Sequence, residues 1–442
     1  MPMKRRAILF FLLFLLQMGS VPTLAAEPTV AAQGAALIDG KTGRLLWGKN
    51  ADVPLAMAST TKIMTAILVL ERARLTEVVT VSKNAAQQPK VHMSLQEGEQ
   101  WQVGDLLSAM LLRSYNDAAV ALAEQVSGNV AKFCAEMTKK AKEIGARDTV
   151  FGSPNGLDSH LTAEQHHSTA YDMALIGAYA LENETFREII AQQEIYVSDL
   201  TGKHSCSVTN ADRFLQEYSG ALGIKTGYTN RAGHCFVGAA ERDGVRLVSA
   251  VLGSGWGDVG KQKKWTDTKA LMDYGFAVFH PYEAVQAGES FGEIRITDSP
   301  TTQMETILAE GYTALFSDAE IEKLHLTADL PKELAAPVHR GRGRPRERLC
   351  PAGRQARRGI LPCPPERRPR WWSPAYRLPG HGHRGPGGRG GAPAAPAAGR
   401  MVHGGLPGLG NGPPSAGRRP GGTPAAAGPA RSAFKARLGQ PL

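Results

Sequence analysis

The sequence predicts an α+β fold in which helices pack on an antiparallel sheet, followed by a smaller, incomplete β-rich domain. Three observations carry that expectation. Apolar residues recur at helical spacing from Ser59 to Arg72, where Ile63, Ile67 and Leu70 align beside Met64 and Leu68. Two apolar runs, CFVGAA and VRLVSAVLG, are joined through Arg242-Asp243-Gly244, the punctuation of an antiparallel hairpin. A further pair, AALIDG and RLLW, flanks a turn around Asp39, Gly40 and Gly43 near the start of the chain, so the sheet draws strands from both ends of its domain.

In order along the chain, Ala35 to Trp47 read as the first hairpin and Ser59 to Arg72 as a long, largely buried helix. Val103 to Val126 form a second helical region, because Leu106, Met110, Leu111, Ala118, Leu122 and Val126 mostly keep one face. Val130 to Ile144 follow with Phe133, Met137 and Ile144 as the apolar set, and Thr169 to Tyr179 form another helix. Glycines 220, 223 and 227 then introduce the strand region, which a helix from Trp265 to Phe279 closes. From Tyr282 onward, EAVQAGESFGEIRI and EIEKLHLTADL are strand-like and belong to the second unit.

The ends read differently. Lys4, Arg5 and Arg6 precede the apolar run Ala7 to Leu16, and small residues at Thr23, Ala25 and Ala26 follow, the pattern of a cleaved export signal. That run is shorter than the ~20 residues a membrane-spanning helix needs. The expected setting is therefore outside the cytoplasm, secreted or associated with the cell envelope.

Net charge is +10, which in isolation would point to a nucleic-acid partner. From Val338 to Leu442, however, 20 basic residues face 2 acidic ones, leaving 31 basic and 39 acidic groups in the first 337 residues. The folded part is mildly acidic, and no nucleic-acid partner is expected. The tail also holds 18 of the 28 prolines and 19 Arg against one Lys, with no hydrophobic period. Such a segment buries too little to offset its ordering entropy, so disorder is expected. It fits either a native basic linker that clings to anionic envelope polymers or translation from a shifted frame of a GC-rich gene. The abrupt break inside an unfinished β unit favours the second.

Five cysteines (Cys134, Cys206, Cys235, Cys350 and Cys363) leave at least one thiol unpaired and build no disulfide framework. Cys206 and Cys235 fit either a cross-strand bridge or two buried free thiols. His160, His166, His167, His204 and His234 show no metal-ligand spacing and are assigned capping or surface roles, so neither metal nor cofactor is expected. Lys261 to Lys264 read as a solvated face, Trp256 as a loop anchor or groove wall, and Asn155-Gly156-Leu157 as a turn near the site.

Chemistry concentrates in three short motifs. In Ser59-Thr60-Thr61-Lys62, a helical start would put the lysine one turn from the hydroxyl, where a neutral amine acts as base and the helix N-terminus offers N–H groups to a developing oxyanion. Ser114-Tyr115-Asn116 offers a second hydroxyl and an amide that both donates and accepts. Lys225-Thr226-Gly227 opens a strand with an exposed lysine and hydroxyl suited to a carboxylate, beside a glycine that lets substrate lie against backbone. Alone, each has an ordinary reading, since serine caps helices and lysine decorates surfaces. Together they occur in the order S-x-x-K, S-x-N, K-T-G, with successive starts separated by 55 and 111 residues. That order resembles the penicillin-recognising serine enzymes, with Tyr115 where S-D-N has its aspartate.

Within that class, PLAMASTTKIMTAILVLE, MLLRSYNDAAVALAE, FGSPNGLDSHLTAEQHHSTAYDMA and GIKTGYTNRAGHCFVGAAERDG resemble the low-molecular-weight D-alanyl-D-alanine carboxypeptidases of serine peptidase family S11. The resemblance covers a catalytic domain at 31–280 and, more weakly, a partial β-rich domain at 281–337. With the patterning of the ends, the expected organisation adds a signal peptide at 1–26 and a disordered tail at 338–442, either native or frameshift-derived. Unlike this chain, the family usually completes the second domain and ends in an amphipathic membrane-surface helix, which leaves peripheral contact with membrane or cell wall open. The implied roles are Ser59 as nucleophile, Lys62 as base, Ser114 with Lys62 as proton relay and Asn116 as holder of the substrate amide. Lys225 and Thr226 would take the terminal carboxylate beside Gly227, and the N–H groups of Ser59 and Tyr228 the oxyanion. The implied partners are peptidoglycan stem peptides and, as covalent inhibitors, β-lactams. A β-lactamase, a DD-endopeptidase or a transpeptidase would share this fold, and the non-enzyme alternative is an inactive wall-binding or misfolded product.

Overall fold

The computed structural model describes residues 26–300, 302–308, 310–329, 332–335 and 346–351. The export-signal segment up to residue 25 and most of the 338–442 tail lie outside the described residues.

The strands of the first part are, in order, β1 (Gly34–Asp39), β2 (Leu45–Lys49), β3 (Val78–Thr80), β4 (Gln100–Gln102), β5 (Glu194–Ser198), β6 (Ser205–Thr209), β7 (Ala221–Thr229), β8 (Gly233–Arg242) and β9 (Val245–Leu252). Five of them form the central sheet, in the order β2-β1-β9-β8-β7 with neighbours antiparallel. β3 with β4, and β5 with β6, make two small separate ribbons. First and last segments of the domain meet where β1 pairs with β9, Ala36 facing Ala250. Asp243 and Gly244 both take positive φ in the two-residue β8–β9 turn, as the Asp-Gly pair requires.

Period-two alternation divides the strands between two cores. Ala36, Ile38, Val237, Val248 and Ala250 join the larger cluster, built with the helices Lys62–Arg72, Val103–Arg113, Asn116–Ser127, Val130–Ile144 and Ala170–Ala180. Leu37, Phe236, Leu247 and Val251 join the smaller one, under the helix Gly257–Val278 with Trp265 and Leu271. Burial on both faces explains why CFVGAA and VRLVSAVLG are nearly continuous apolar runs. The Lys62–Arg72 helix has Lys62, Ile63, Met64, Thr65, Ala66, Ile67, Leu68 and Val69 all buried, which fixes its N-terminus against the sheet edge.

Several details differ from the sequence expectation. The region Val103 to Val126 is two helices, because Ser114 adopts the left-handed conformation (φ 72) and stops the first before Asn116 begins the second. A non-glycine residue rarely takes that conformation, so residue type carries no warning of the break. The closing helix starts earlier than Trp265, at Gly257. The helix Glu184–Ala191 and the β5–β6 hairpin have no counterpart in the sequence reading; both strands are short and mostly exposed, with little apolar alternation to mark them. Lys264 is 7% exposed, not part of a solvated face. Its helix turns that position inward over the Trp265 ring, 4.5 Å from the centroid, while Lys261 and Lys263 stay in solvent. Cys134, Cys206 and Cys235 are free thiols.

Beyond the closing helix come β10 (His280–Val285), β11 (Ser290–Thr297), β12 (Gln303–Ile307) and β13 (Tyr312–Phe316). β10 pairs with β13, and β11 with β12. Arg44 ties this unit to the first hairpin by donating to Leu315 O at 2.6 Å and pairing with Glu320 at 2.5 Å. Residues Arg346–Pro351 pair antiparallel with Leu324–Asp329, so regular backbone extends past position 338. Main-chain pairing of that kind needs no hydrophobic period. Among the described residues, no helix is long and apolar enough to cross a membrane.

Candidate active site

Ser59 lies in the 3-10 turn Ala58–Thr61, which runs directly into the Lys62–Arg72 helix. The turn is anchored by its own threonines: Thr60 Oγ1 donates to Met57 O at 2.6 Å and Thr61 Oγ1 to Ala58 O at 2.8 Å. Ala58 carries φ 49, so a non-glycine left-handed residue immediately precedes the serine and aims it out of the helix.

Lys62 is fully buried, and its Nζ makes three contacts: Ser59 Oγ at 2.9 Å, Asn116 Oδ1 at 2.9 Å and Asn155 O at 2.6 Å. A neutral amine has two N–H bonds and one lone pair. Two of the three neighbours, Asn116 Oδ1 and Asn155 O, are pure acceptors, so in the neutral form they take the two hydrogens and the lone pair is left for Ser59 Oγ, whose one hydrogen then turns from Asn155 O to Lys62. Burial, and then the Lys225 ammonium, hold the Lys62 amine well below the ordinary lysine value, while the Asp117 carboxylate opposes the shift. Burial and the neighbouring positive charge thus favour the uncharged amine, and the geometry places it in reach of the Ser59 hydroxyl.

The second motif sits at the junction between helices. Asn116 begins the Asn116–Ser127 helix; its Nδ2 donates to Pro89 O at 3.0 Å, which directs its oxygen to Lys62. Asn116 Oδ1 is thereby in direct contact with the buried amine, an arrangement its position in the motif does not indicate. Ser114 occupies the left-handed break just ahead, part-buried; among the described residues its hydroxyl makes no hydrogen bond to Lys62 or Ser59.

The third motif lies on β7, the terminal strand of the sheet. A Cβ on Gly227 would stand 2.9 Å from Ser59 N, so only glycine lets this strand reach the nucleophile's backbone. Tyr228 follows, half exposed, with its ring 4.4 Å from that of His234 across the ladder. Thr226 is part-exposed, but Lys225 is 2% exposed and donates to Thr226 O at 3.3 Å, contrary to the expectation of an exposed lysine. Its strand position turns it into the packed interior, so its charge reaches the cleft mainly as a field. Burial lowers its amine to about 7, with Asp212 opposing and Lys264 assisting.

Two contributors escape or contradict the sequence reading. Asn155 supplies a backbone carbonyl that also accepts from Ser59 Oγ at 3.2 Å, and backbone contributions leave no mark in residue identity. His166, assigned a capping or surface role, is fully buried. Its Nδ1 accepts from Gly152 N at 3.1 Å and its Nε2 lies 3.3 Å from Thr61 Oγ1, so it joins the 152–166 loop to the nucleophile turn. Burial lowers its pKa to about 4, which keeps the ring neutral and the tautomer fixed. Trp256 acts as a loop anchor, donating to Asn230 O at 2.8 Å.

Gly156 makes this loop exacting. It takes φ 84, and a Cβ there would lie 2.0 Å from Ala58 O. Gly156→Ala is expected to destabilise the protein by about 2 kcal/mol or more and to slow acylation, because the loop must retreat from Ala58 and carry the Asn155 carbonyl with it. Thermal melting and a penicillin-labelling rate measure both effects; an unchanged pair would remove the loop from the site.

Comparison with known proteins identifies the family. The sequence model of a family described as D-alanyl-D-alanine carboxypeptidase matches residues 21–255. D-alanyl-D-alanine carboxypeptidase DacF of Bacillus subtilis is 30% identical over 316 residues, covering 70% of this chain and 79% of that protein. DacB2 of Mycobacterium tuberculosis, another D-alanyl-D-alanine carboxypeptidase, is 35% identical over 260 residues, 59% of this chain and 86% of that protein. Among solved structures, penicillin binding protein 5 from Haemophilus influenzae aligns with TM-score 0.62 and 27% identity, over 74% of this chain and 95% of its own.

Proposed function

The chain belongs to the D-alanyl-D-alanine carboxypeptidase family, and from that premise we propose that it removes the terminal D-alanine of peptidoglycan stem peptides through an acyl-enzyme on Ser59. It is a serine-type D-Ala-D-Ala carboxypeptidase. The observation that carries the residue assignment is the Lys62 amine, buried, held well below the ordinary lysine pKa by that burial, and 2.9 Å from Ser59 Oγ.

Lys62 accepts the Ser59 proton as Oγ attacks the carbonyl between the two D-alanines. The oxyanion meets the N–H groups of Ser59 and Tyr228, which the bare Cα of Gly227 allows to converge. The terminal carboxylate lies along Thr226 in the positive field of Lys225. As the C–N bond breaks, the proton held by Lys62 passes to the departing amine, with Ser114 beside the path. Water then cleaves the Ser59 ester, again with Lys62 as base, which releases the shortened peptide. β-Lactams acylate the same oxygen. Against a β-lactamase stands the loop group in contact with Ser59 Oγ, which is the Asn155 carbonyl and not a carboxylate.

Residues 31–280 form the catalytic domain in this reading, and 281–337 an accessory β-rich unit. The peptidoglycan substrate and the basic-apolar start of the chain support a site of action outside the cytoplasm. Incubation of the purified chain with a stem pentapeptide is expected to release one equivalent of D-alanine per peptide, in step with fluorescent-penicillin labelling. Stoichiometric labelling with no D-alanine released from the pentapeptide would overturn the carboxypeptidase assignment for this substrate.

A further inference from the structure

Past the oxyanion position, β7 does not end at open surface. Tyr228, Thr229, Asn230 and Arg231 form one wall of a cleft of about 500 Å³, and Leu157, Asp158, Ser159 and Leu161 form the other. The proposed mechanism makes no use of this space. Asp158 is 7% exposed, and its Oδ2 accepts from Thr229 Oγ1 at 2.9 Å. Among the described residues its Oδ1 has no hydrogen-bond partner. Arg231 stands at the exposed rim, held by donation from Nη1 to Leu161 O at 2.8 Å.

Strand direction fixes what can enter. If the terminal carboxylate lies at Lys225 and Thr226 and the scissile carbonyl at Tyr228 N–H, the peptide runs antiparallel to β7 along the free edge of that strand. Its earlier residues then extend toward Thr229 and Arg231. An extended chain advances roughly 3.4 Å per residue. The residue before the D-alanine pair is therefore level with the cleft, and its side chain is the first with the reach to fill it.

We propose that this cleft is a specificity subsite for the residue preceding D-Ala-D-Ala, and that it selects a side chain whose end carries both an ammonium and a carboxylate. The ammonium meets the Asp158 carboxylate in the cleft wall, and the carboxylate meets the Arg231 guanidinium at the rim. A buried acceptor with one oxygen unclaimed discriminates strongly between a donor and an apolar group, because an apolar occupant leaves it unpaired. Arg231 adds a planar fork matched to a carboxylate. The inference rests on the carboxypeptidase reading above, and it extends that reading to substrate choice.

The test uses N-acyl-X-D-Ala-D-Ala peptides with X as diaminopimelate, lysine or norleucine, and compares kcat/KM ratios in the full chain. The wild type is expected to favour diaminopimelate over norleucine by at least tenfold, with lysine between them. Asp158→Asn keeps an acceptor for Thr229 and is expected to lower the diaminopimelate-to-norleucine ratio about fivefold. Arg231→Ala is expected to erase the difference between diaminopimelate and lysine. Melting temperatures establish that each variant is folded, and the norleucine peptide supplies an internal denominator. A wild-type ratio below two, a ratio that Asp158→Asn leaves unchanged, or a diaminopimelate advantage that survives Arg231→Ala overturns the subsite. Failure of the wild type to release D-alanine from any of the three peptides overturns the carboxypeptidase reading instead.

Discussion

Ser59→Ala is expected to abolish both D-alanine release and penicillin labelling while leaving the melting temperature nearly unchanged. Among the described residues, no other hydroxyl lies within hydrogen-bonding distance of the Lys62 amine. Ser114, the other serine of the motifs, makes no such contact and cannot substitute without movement of the helix junction. The side chain lost is small and part-buried, and its hydrogen bond to Asn155 O is long at 3.2 Å. With the 2.9 Å contact to Lys62 Nζ, two hydrogen bonds are lost, each worth about 1 kcal/mol net, which is small for a domain of this size. Covalent labelling that persists in the alanine variant would refute the nucleophile assignment.

Lys62→Ala is expected to reduce the acylation rate by about a thousandfold, within the range that a positioned base contributes. The substitution also leaves Asn116 Oδ1 without the Lys62 donor, at a cost of about 1–3 kcal/mol, while Asn155 O keeps the Ser59 hydroxyl as donor. Relief of an awkwardly buried amine offsets part of that cost, so circular dichroism should remain native. Lys62→Arg is the sharper variant, because guanidinium stays protonated and has no available lone pair. The same logic fixes the sign of the pH dependence. Burial depresses the Lys62 pKa, and the protonated amine is unable to accept the serine proton. Acylation therefore falls as pH drops through the depressed value, and the acid limb should vanish from the residual rate of Lys62→Ala. Retention of that limb in the variant would assign it to another group.

Much of this site is legible in the sequence because its chemistry depends on side-chain identity at fixed spacing. Ser59 and Lys62 are three residues apart, and a helical start leaves them no choice but to meet. Lys225-Thr226-Gly227 is recognisable because a glycine next to polar residues at a strand opening marks close approach. The 2.9 Å that would separate a Cβ at Gly227 from Ser59 N makes that approach literal. The hairpins around Asp39 and Asp243 are equally clear from apolar runs and turn residues.

What escapes is of another kind. Asn155 acts through its carbonyl, which every residue possesses. Ser114 breaks a helical pattern by adopting a conformation that its identity does not favour. Burial of His166, Lys225 and Lys264 depends on tertiary contacts from segments distant in sequence, so residue type argues for the surface in each case. The contact of Asn116 Oδ1 with Lys62 is equally hidden, because it depends on the bond from Asn116 Nδ2 to Pro89 O, 27 residues away in sequence.

The central physical claim is that one hydroxyl, made nucleophilic by an uncharged lysine in the same helical turn, receives the acyl group. Mass spectrometry of a proteolytic digest after brief exposure to penicillin reads that claim directly. The expected result is a single penicilloyl adduct on the peptide containing Ser59, with fragmentation locating it on that residue. An adduct on Ser114, on any other side chain, or on none at all would contradict it.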